Sequence, residues 1–286
     1  MLLGAIEAGG TKFVCAVSDL ELNIVERISL PTTTPEETLN AVYTFFDNYT
    51  LDALAIGSFG PIDVNKKSPT YGYITSTPKT AWKNFDLLGA LKERYNLPIA
   101  FTTDVNAAAY GELKHGAAKG KESCIYLTVG TGIGGGVVIN NKVIEGFSHP
   151  EMGHLVVKRH PDDHFDGVCP YHGDCLEGLA AGPAIEGRFQ QKAFELPNDH
   201  QAWDIEAFYL AQAAVNYTLT LSPEIIIFGG GVSKQEQLYP KMRQYFAELM
   251  NGYYATPALE DYLVYCDLGD NAGITGTLLL AKEAIK

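Results

Sequence analysis

The stretch Gly130-Thr131-Gly132-Ile133-Gly134-Gly135-Gly136 lies between the apolar runs 124–129 and 137–139, so it reads as a strand, a glycine-rich turn and a second strand. Glycines let the backbone reach positive φ and bring bare N–H groups close to an anion, and the Thr131 hydroxyl offers one more donor. The pattern is a candidate phosphate cradle. A similar element opens the chain: the apolar run 2–7 leads into Ala8-Gly9-Gly10-Thr11-Lys12, and 13–17 resumes a strand pattern. One glycine-rich β-turn alone is ordinary turn chemistry. Two of them, each following an apolar strand, predict a duplicated α/β architecture.

The 286 residues are 46% hydrophobic and 19% charged, ordinary values for a globular protein of one large or two medium domains. A balance of 21 basic against 34 acidic residues gives a net charge of −13, so neither nucleic acid nor an anionic membrane is expected as a partner. An anionic ligand would have to be held locally. The chain passes straight into a strand-like segment without a basic leader, and no run approaches the roughly 18 apolar residues of a membrane span; the reading is a soluble, cytoplasmic protein. Five cysteines, with only Cys169 and Cys175 close together, do not make a secreted disulfide framework.

Between the two glycine turns, Thr34-Pro35-Glu36-Glu37 has the form of a capping box with proline at the first helical position, and Leu39, Val42, Phe45 and Phe46 continue it as a helix. Strands are expected at 54–57 and 97–102. The connection 60–80, broken by Pro61, Pro69, Gly72 and Pro78, is too long to be mere linkage and is a candidate ligand loop. A helix is expected over 106–115, directly after Asp104. Residues 148–182 read as an irregular insertion rich in His, Cys, Asp and Gly. Beyond it come a helix over 204–221 and a buried strand over 224–228 that runs into Gly229-Gly230-Gly231-Val232-Ser233, again a ligand-facing crossover. A last strand at 263–266 and a helix over 271–285 complete the chain.

Asp104, at a strand end and a helix start, reads either as a helix N-cap or as a general base that takes the proton of an attacking hydroxyl. Cys169-Pro170-Tyr171-His172-Gly173-Asp174-Cys175 places three metal-ligand types three residues apart. A tetrahedral zinc site needs a fourth, for which His154, His160 and His164 are available upstream. Such a zinc is expected to be structural, since the segment has too few apolar residues for a core of its own. Glu151 and Glu177 flank the cluster and are candidate acceptors for polyol hydroxyls.

With these elements in this order, essentially the whole chain resembles the ROK family of sugar kinases, within the actin, hexokinase and Hsp70 ATPase superfamily. The residues that carry the resemblance are Glu7-Ala8-Gly9-Gly10-Thr11-Lys12, the run 130–136, the motif Asp104-Val105-Asn106-Ala107-Ala108-Ala109 with Gly111-Glu112, Gly229 to Ser233, and the Cys/His segment. The resemblance implies an actin-like, ribonuclease H-like duplicated fold with a zinc-stapled loop and a cleft between two α/β domains. Their expected extents are 1–104 plus 270–286 for the smaller and 105–269 for the larger.

It further implies ATP-dependent phosphorylation of a hexose hydroxyl with Asp104 as base, magnesium on the nucleotide, a structural zinc and a homodimer. Nucleotide contacts are implied for Gly9, Gly10, Thr11, Lys12, Thr131, Gly132, Pro183, Gly230, Gly231, Val232 and Ser233. Sugar contacts are implied for Gly60, Pro61, Thr103, Asp104, Glu151, His154 and Glu177, and the zinc ligands become His154, Cys169, His172 and Cys175. His154 would bind zinc through one ring nitrogen and a sugar hydroxyl through the other.

Within the family the chain most resembles the bacterial fructokinases, through residues 57–63, 68–79 and 169–178. The implied reaction is transfer of the γ-phosphoryl group to D-fructose, giving fructose 6-phosphate. Thr103, where glucokinases have asparagine, and His172, where they have cysteine, agree with this branch. Glu7 stands where most relatives carry aspartate. The alternatives are a kinase of mannose, glucose or an N-acetylhexosamine, a sugar-responsive regulator, and a non-catalytic sugar sensor.

Overall fold

The first strand, β1 (Leu3–Ala8), is apolar on both faces, and the computed structural model of residues 1–286 covers it on both sides with helices. A glycine turn returns the chain as β2 (Lys12–Ser18), and β3 (Ile24–Pro31) continues the antiparallel meander. Helix α1 (Pro35–Phe46) starts where expected, with the Thr34 hydroxyl accepting from the Glu37 amide at 3.3 Å, but the Glu37 carboxylate does not return a bond to the Thr34 amide, so only half of the expected capping box forms. Strand β4 (Ala53–Ser58) follows, parallel to β1. The long connection after it contains a small antiparallel pair, β5 (Tyr73–Ile74) and β6 (Phe85–Asp86). Helix α2 (Leu87–Arg94), strand β7 (Ile99–Thr103) and helix α3 (Asp104–His115) come next.

A second hairpin, β8 (Cys124–Val129) and β9 (Ile133–Ile139), is extended by β10 (Lys142–Val143). After it come two short helices, α4 (Leu176–Ala180) and α5 (Gly182–Phe189), and the long α6 (Ala202–Leu221). The chain ends with β11 (Ile226–Gly229), α7 (Leu238–Met250), α8 (Leu259–Tyr262), β12 (Leu263–Tyr265) and α9 (Ala272–Ala284). No helix is long and apolar enough to cross a membrane.

The strand orders are β3-β2-β1-β4-β7 and β10-β9-β8-β11-β12. Each sheet thus has its hairpin on one side of its first strand and two parallel strands on the other. This is the duplicated α/β architecture that the two glycine turns predict.

Two compact units divide the chain. Met1–Gly116, Lys142–Pro150 and Asp270–Lys286 form the first, and Ala117–Asn141 with Glu151–Gly269 the second. The sequence reading instead ends the first unit at residue 104 and keeps 105–269 together. The difference has local causes: α3 packs against α9, and His149 is hydrogen-bonded to Ile62.

In the first unit, alternation along the strands sorts the core into two layers. Ile6, Phe13, Val17, Leu54 and Ile56 meet Leu39, Val42 and Phe46 of α1 and Leu87, Leu88 and Leu91 at α2. Ala5, Val14, Ala16, Ala53 and Ala55 meet Ile274, Leu278 and Ala281 of α9. The second layer is built mostly from alanines, so α9 lies close to the sheet. It also lies close to α3, for a Cβ on Gly276 would stand 1.7 Å from the Ala107 carbonyl oxygen. We expect Gly276→Ala to cost about 1–3 kcal/mol, the range for overpacking a close contact, read as a lowered urea midpoint with an unchanged slope.

Candidate active site

In the first unit, Gly9 to Lys12 form the β1–β2 turn, closed by the Gly9 amide donating to the Lys12 carbonyl at 3.0 Å. The Thr32 hydroxyl donates to the Gly9 carbonyl at 2.7 Å and the Thr32 amide to the Thr11 carbonyl at 2.9 Å. These bonds fix the turn from outside and leave Thr11 and Lys12 exposed at its tip. Lys79 also reaches this turn, its Cε lying 3.5 Å from where a Cβ on Gly10 would be. Sequence reading did not single out Lys79 as a site residue, because 67 residues separate it from Lys12.

Glu7 extends from β1 to the start of α9, where its carboxyl carbon is 2.5 Å from the place a Gly273 Cβ would occupy. Burial pushes its carboxyl up, opposed by the charges of Arg27 and Lys12 and by the Ile274 amide, and Oε2 has no hydrogen-bond partner. A buried acceptor in that condition fits a hydrated cation.

Asp104 is the first residue of α3, and the cap is its neighbour. The Thr103 hydroxyl accepts from the Asn106 amide at 3.1 Å, while Asp104 Oδ1 accepts from the Val105 amide at 2.8 Å. The N-cap reading of Asp104 is therefore corrected. Thr103 has the extended backbone a cap requires, and the carboxylate one residue later stays at the helix N-terminus, where negative charge is favoured. Gly57 admits this start of α3 beside β4, as a Cβ there would lie 3.0 Å from that of Ala107.

Behind Asp104, the buried Asn106 donates its side-chain amide to the Thr102 hydroxyl at 3.1 Å, and that hydroxyl donates to Glu145 Oε1 at 3.2 Å. The turn at Gly60 and Pro61, joined by a cis peptide, is pinned by the Thr75 amide and hydroxyl, which donate to the Pro61 carbonyl at 2.8 and 3.0 Å. His149 pins it again, its Nε2 accepting from the Ile62 amide at 3.1 Å.

In the second unit, the tip of the β8–β9 turn leaves the amides of Thr131 and Gly132 without a protein acceptor, since the turn is closed by the Gly130 amide on the Gly132 carbonyl at 2.9 Å. Two adjacent bare N–H groups at a glycine turn are what an oxyanion needs. The turn is held from behind by the Gly182 amide on the Gly130 carbonyl at 2.7 Å and by Glu177 Oε2, which accepts from the Ile133 amide at 2.9 Å. The chain turns sharply at Gly230 (φ +85°), next to the end of β8. Val232 and Ser233 after it are buried, while Pro183 at the start of α5 is exposed.

His154, Cys169, His172 and Cys175 bring their ligand atoms within 4.8 Å of one another. His154 Nδ1 lies 3.5 Å from Cys175 Sγ and 3.7 Å from Cys169 Sγ, and His172 Nδ1 lies 3.7 Å from Cys169 Sγ. Bonds of about 2.0–2.3 Å in a tetrahedron give ligand separations of roughly 3.6 Å, so this donor set fits zinc. Because Nδ1 faces the sulfurs, His154 Nε2 is turned to other partners. His160 is outside the cluster, its Nδ1 accepting from the Asp162 amide at 3.2 Å. The segment is also tied to the helices by Asp163, which accepts from Arg188 at 3.0 and 2.9 Å and from the Tyr209 hydroxyl at 2.6 Å. Burial raises the Glu151 carboxyl, with His154 opposing and Glu177 adding to the rise.

Two outcomes follow. Burial depresses the His149 imidazole, against a hydrogen bond to Pro150 and the charge of Glu145. The unfolded chain therefore takes up this proton first, so the stability His149 contributes is intact above its ordinary value of 6.5 and falls as pH drops through that value. Urea midpoints between pH 7.5 and 5.5 should fall less steeply in His149→Asn than in the parent. Removing metal with a chelator should release one zinc per chain and lower affinity for sugar before it unfolds the core, measured by metal analysis, calorimetry and circular dichroism; equal sugar affinity in metal-free protein would break that link.

The family model described as "ROK family" matches residues 3–284. A fructokinase of Pediococcus pentosaceus is 52% identical over 286 residues, covering 100% of this chain and 99% of that protein. Among solved structures, a ROK hexokinase from Thermus thermophilus superposes with a TM-score of 0.81 at 28% identity, covering 100% of this chain and 99% of that one. A ROK family glucokinase from Streptomyces griseus, in complex with glucose and AMPPNP, superposes with a TM-score of 0.78 at 26% identity, covering 99% and 100%. This chain belongs to the ROK family.

Proposed function

We propose that the protein is an ATP-dependent sugar kinase that transfers the γ-phosphoryl group of ATP to D-fructose, giving fructose 6-phosphate. The observation that carries the sugar is the full-length likeness to fructokinases near 50% identity, set against 26% for the glucokinase bound to glucose. For the reaction class, the supporting observation is Asp104, held at the start of α3 with one carboxylate oxygen on the Val105 amide.

In this reading Asp104 orients the sugar hydroxyl and accepts its proton as that oxygen attacks phosphorus. The turn at Gly60 and Pro61, together with Thr103, Glu151, His154 and Glu177, receives the other hydroxyls. Hydrogen bonds from Gly10, Thr11 and Lys12 and from Thr131 and Gly132 hold the phosphates, while the Gly9 amide stays on the Lys12 carbonyl and shapes the turn. Lys12 adds a charge, and Pro183 with Gly230 to Ser233 contacts the nucleoside. Magnesium, when bound, neutralises phosphate charge, with the orphan Glu7 oxygen available to its hydration shell. Zinc on His154, Cys169, His172 and Cys175 would order the loop that carries the acceptors.

The test is ADP release with MgATP across fructose, mannose, glucose and N-acetylmannosamine, in the parent and in Asp104→Asn. The variant should keep fructose affinity and lose about 10²–10⁴-fold in turnover. Near-normal turnover would remove Asp104 from the mechanism, while turnover mainly on another sugar would keep the kinase and replace the substrate.

A further inference from the structure

The Glu177 carboxylate divides between two tasks. Oε2 accepts from the Ile133 amide at 2.9 Å, which anchors the β8–β9 turn, and Oε1 has no partner in the protein. The residue is half-buried, so Oε1 remains open to a ligand. Its backbone is fixed from both sides. The Leu176 amide donates to the Leu155 carbonyl at 2.8 Å, and Gly178 lies so close to the Cys169–Cys175 loop that a Cβ would stand 1.9 Å from the Gly173 carbonyl oxygen. The side chain then passes over Gly132, where a Cβ would be 2.7 Å from Oε2. Gly132 therefore serves the incoming carboxylate as well as any phosphate.

We propose that Glu177 is a positioning residue that couples sugar to nucleotide, receiving a sugar hydroxyl on Oε1 while Oε2 holds the Ile133 amide and so sets the turn that offers the Thr131 and Gly132 amides to a phosphate. The coupling has two physical parts. A hydroxyl donated to Oε1 restricts the rotation of the carboxylate and thus steadies the bond to Ile133. It also draws charge away from Oε2, which lowers the repulsion a triphosphate meets on approaching the same turn. Sugar binding then favours nucleotide binding, and by linkage nucleotide favours sugar to the same degree. The proposal rests on the reading of Glu177 as a sugar contact.

Hydrogen exchange at residues 130–135 reads the turn directly, with fructose alone and no nucleotide present. In the parent, fructose should slow exchange there. In Glu177→Ala, exchange should be faster by roughly tenfold, as for loss of a hydrogen bond to a charged group, and should no longer respond to fructose. Glu177→Gln keeps an acceptor for Ile133 without the charge and should restore slow exchange. Calorimetry with AMPPNP and magnesium, with and without fructose, should show affinity raised by the sugar in the parent and little changed by it in Glu177→Gln. A merely structural role would also give fast exchange in Glu177→Ala and slow exchange in Glu177→Gln, but neither exchange nor AMPPNP affinity in the parent would respond to fructose through this residue. Zinc content, measured in each, distinguishes a collapsed loop from a lost bond.

Exchange at 130–135 that ignores fructose in the parent, or that is unaltered in Glu177→Ala, would overturn the proposal. Equal fructose affinity in the parent and Glu177→Ala would remove Glu177 from the sugar and overturn the coupling, leaving the kinase reading to the turnover assay. Absence of fructose binding in the parent would instead overturn the choice of sugar and, with it, the coupling as stated.

Discussion

Covering both faces of the first sheet constrains everything the first unit presents. Strands that must be buried on both sides cannot carry polar side chains along their length, so chemistry is pushed to their ends. In β1 the polar residue is Glu7, next to the turn. In β7 the polar run Thr102-Thr103 leads straight into Asp104. The alanine layer beneath α9 extends the same constraint, because only small residues let that helix approach the strands and α3 together. Asp104 is thus placed by packing that begins well away from it.

The second unit solves a different problem. Its long insertion has few large side chains to bury, and it is ordered by polar means: four potential metal ligands, the pair of Asp163 with Arg188, and backbone contacts that only glycine permits at 153 and 178. Asp163 is buried and held below the usual carboxylate range, since the bonds from Arg188 and Tyr209 outweigh the burial that would raise it. This network carries Glu177 to the turn of the second hairpin. The loop that would be stapled by zinc and the turn that would hold phosphate are therefore one connected structure.

Elements with strong local signals were legible before any coordinates. Both hairpins, α1 with its Thr34 cap, α3, α6 and α9 lie close to where turn chemistry and periodicity put them. Strand β3 was not expected, since most of its residues are exposed and Arg27 and Glu26 interrupt its apolar pattern. Helix α7 carries Pro240 near its start, which masked its periodicity, and α2 and α5 are only eight residues long. The cap of α3 lies one residue before Asp104, the residue on which the sequence reading put it, because Thr103 also has a capping side chain and only backbone conformation distinguishes the two.

From the sequence alone came the residue types with chemical capacity and the order in which the chain presents them: glycine turns after strands, a carboxylate at a helix start, cysteines and histidines at ligand spacing. Those are local properties, written in neighbouring residues. Tertiary structure decided the pairings. It chose His154 over His160 to lie with the cysteines, brought Lys79 to the first turn, assigned 142–150 to the first unit, and set Glu177 on the amide of Ile133. Each of these joins residues about fifteen to ninety positions apart, and such contacts depend on how buried layers close, which no short window of sequence contains.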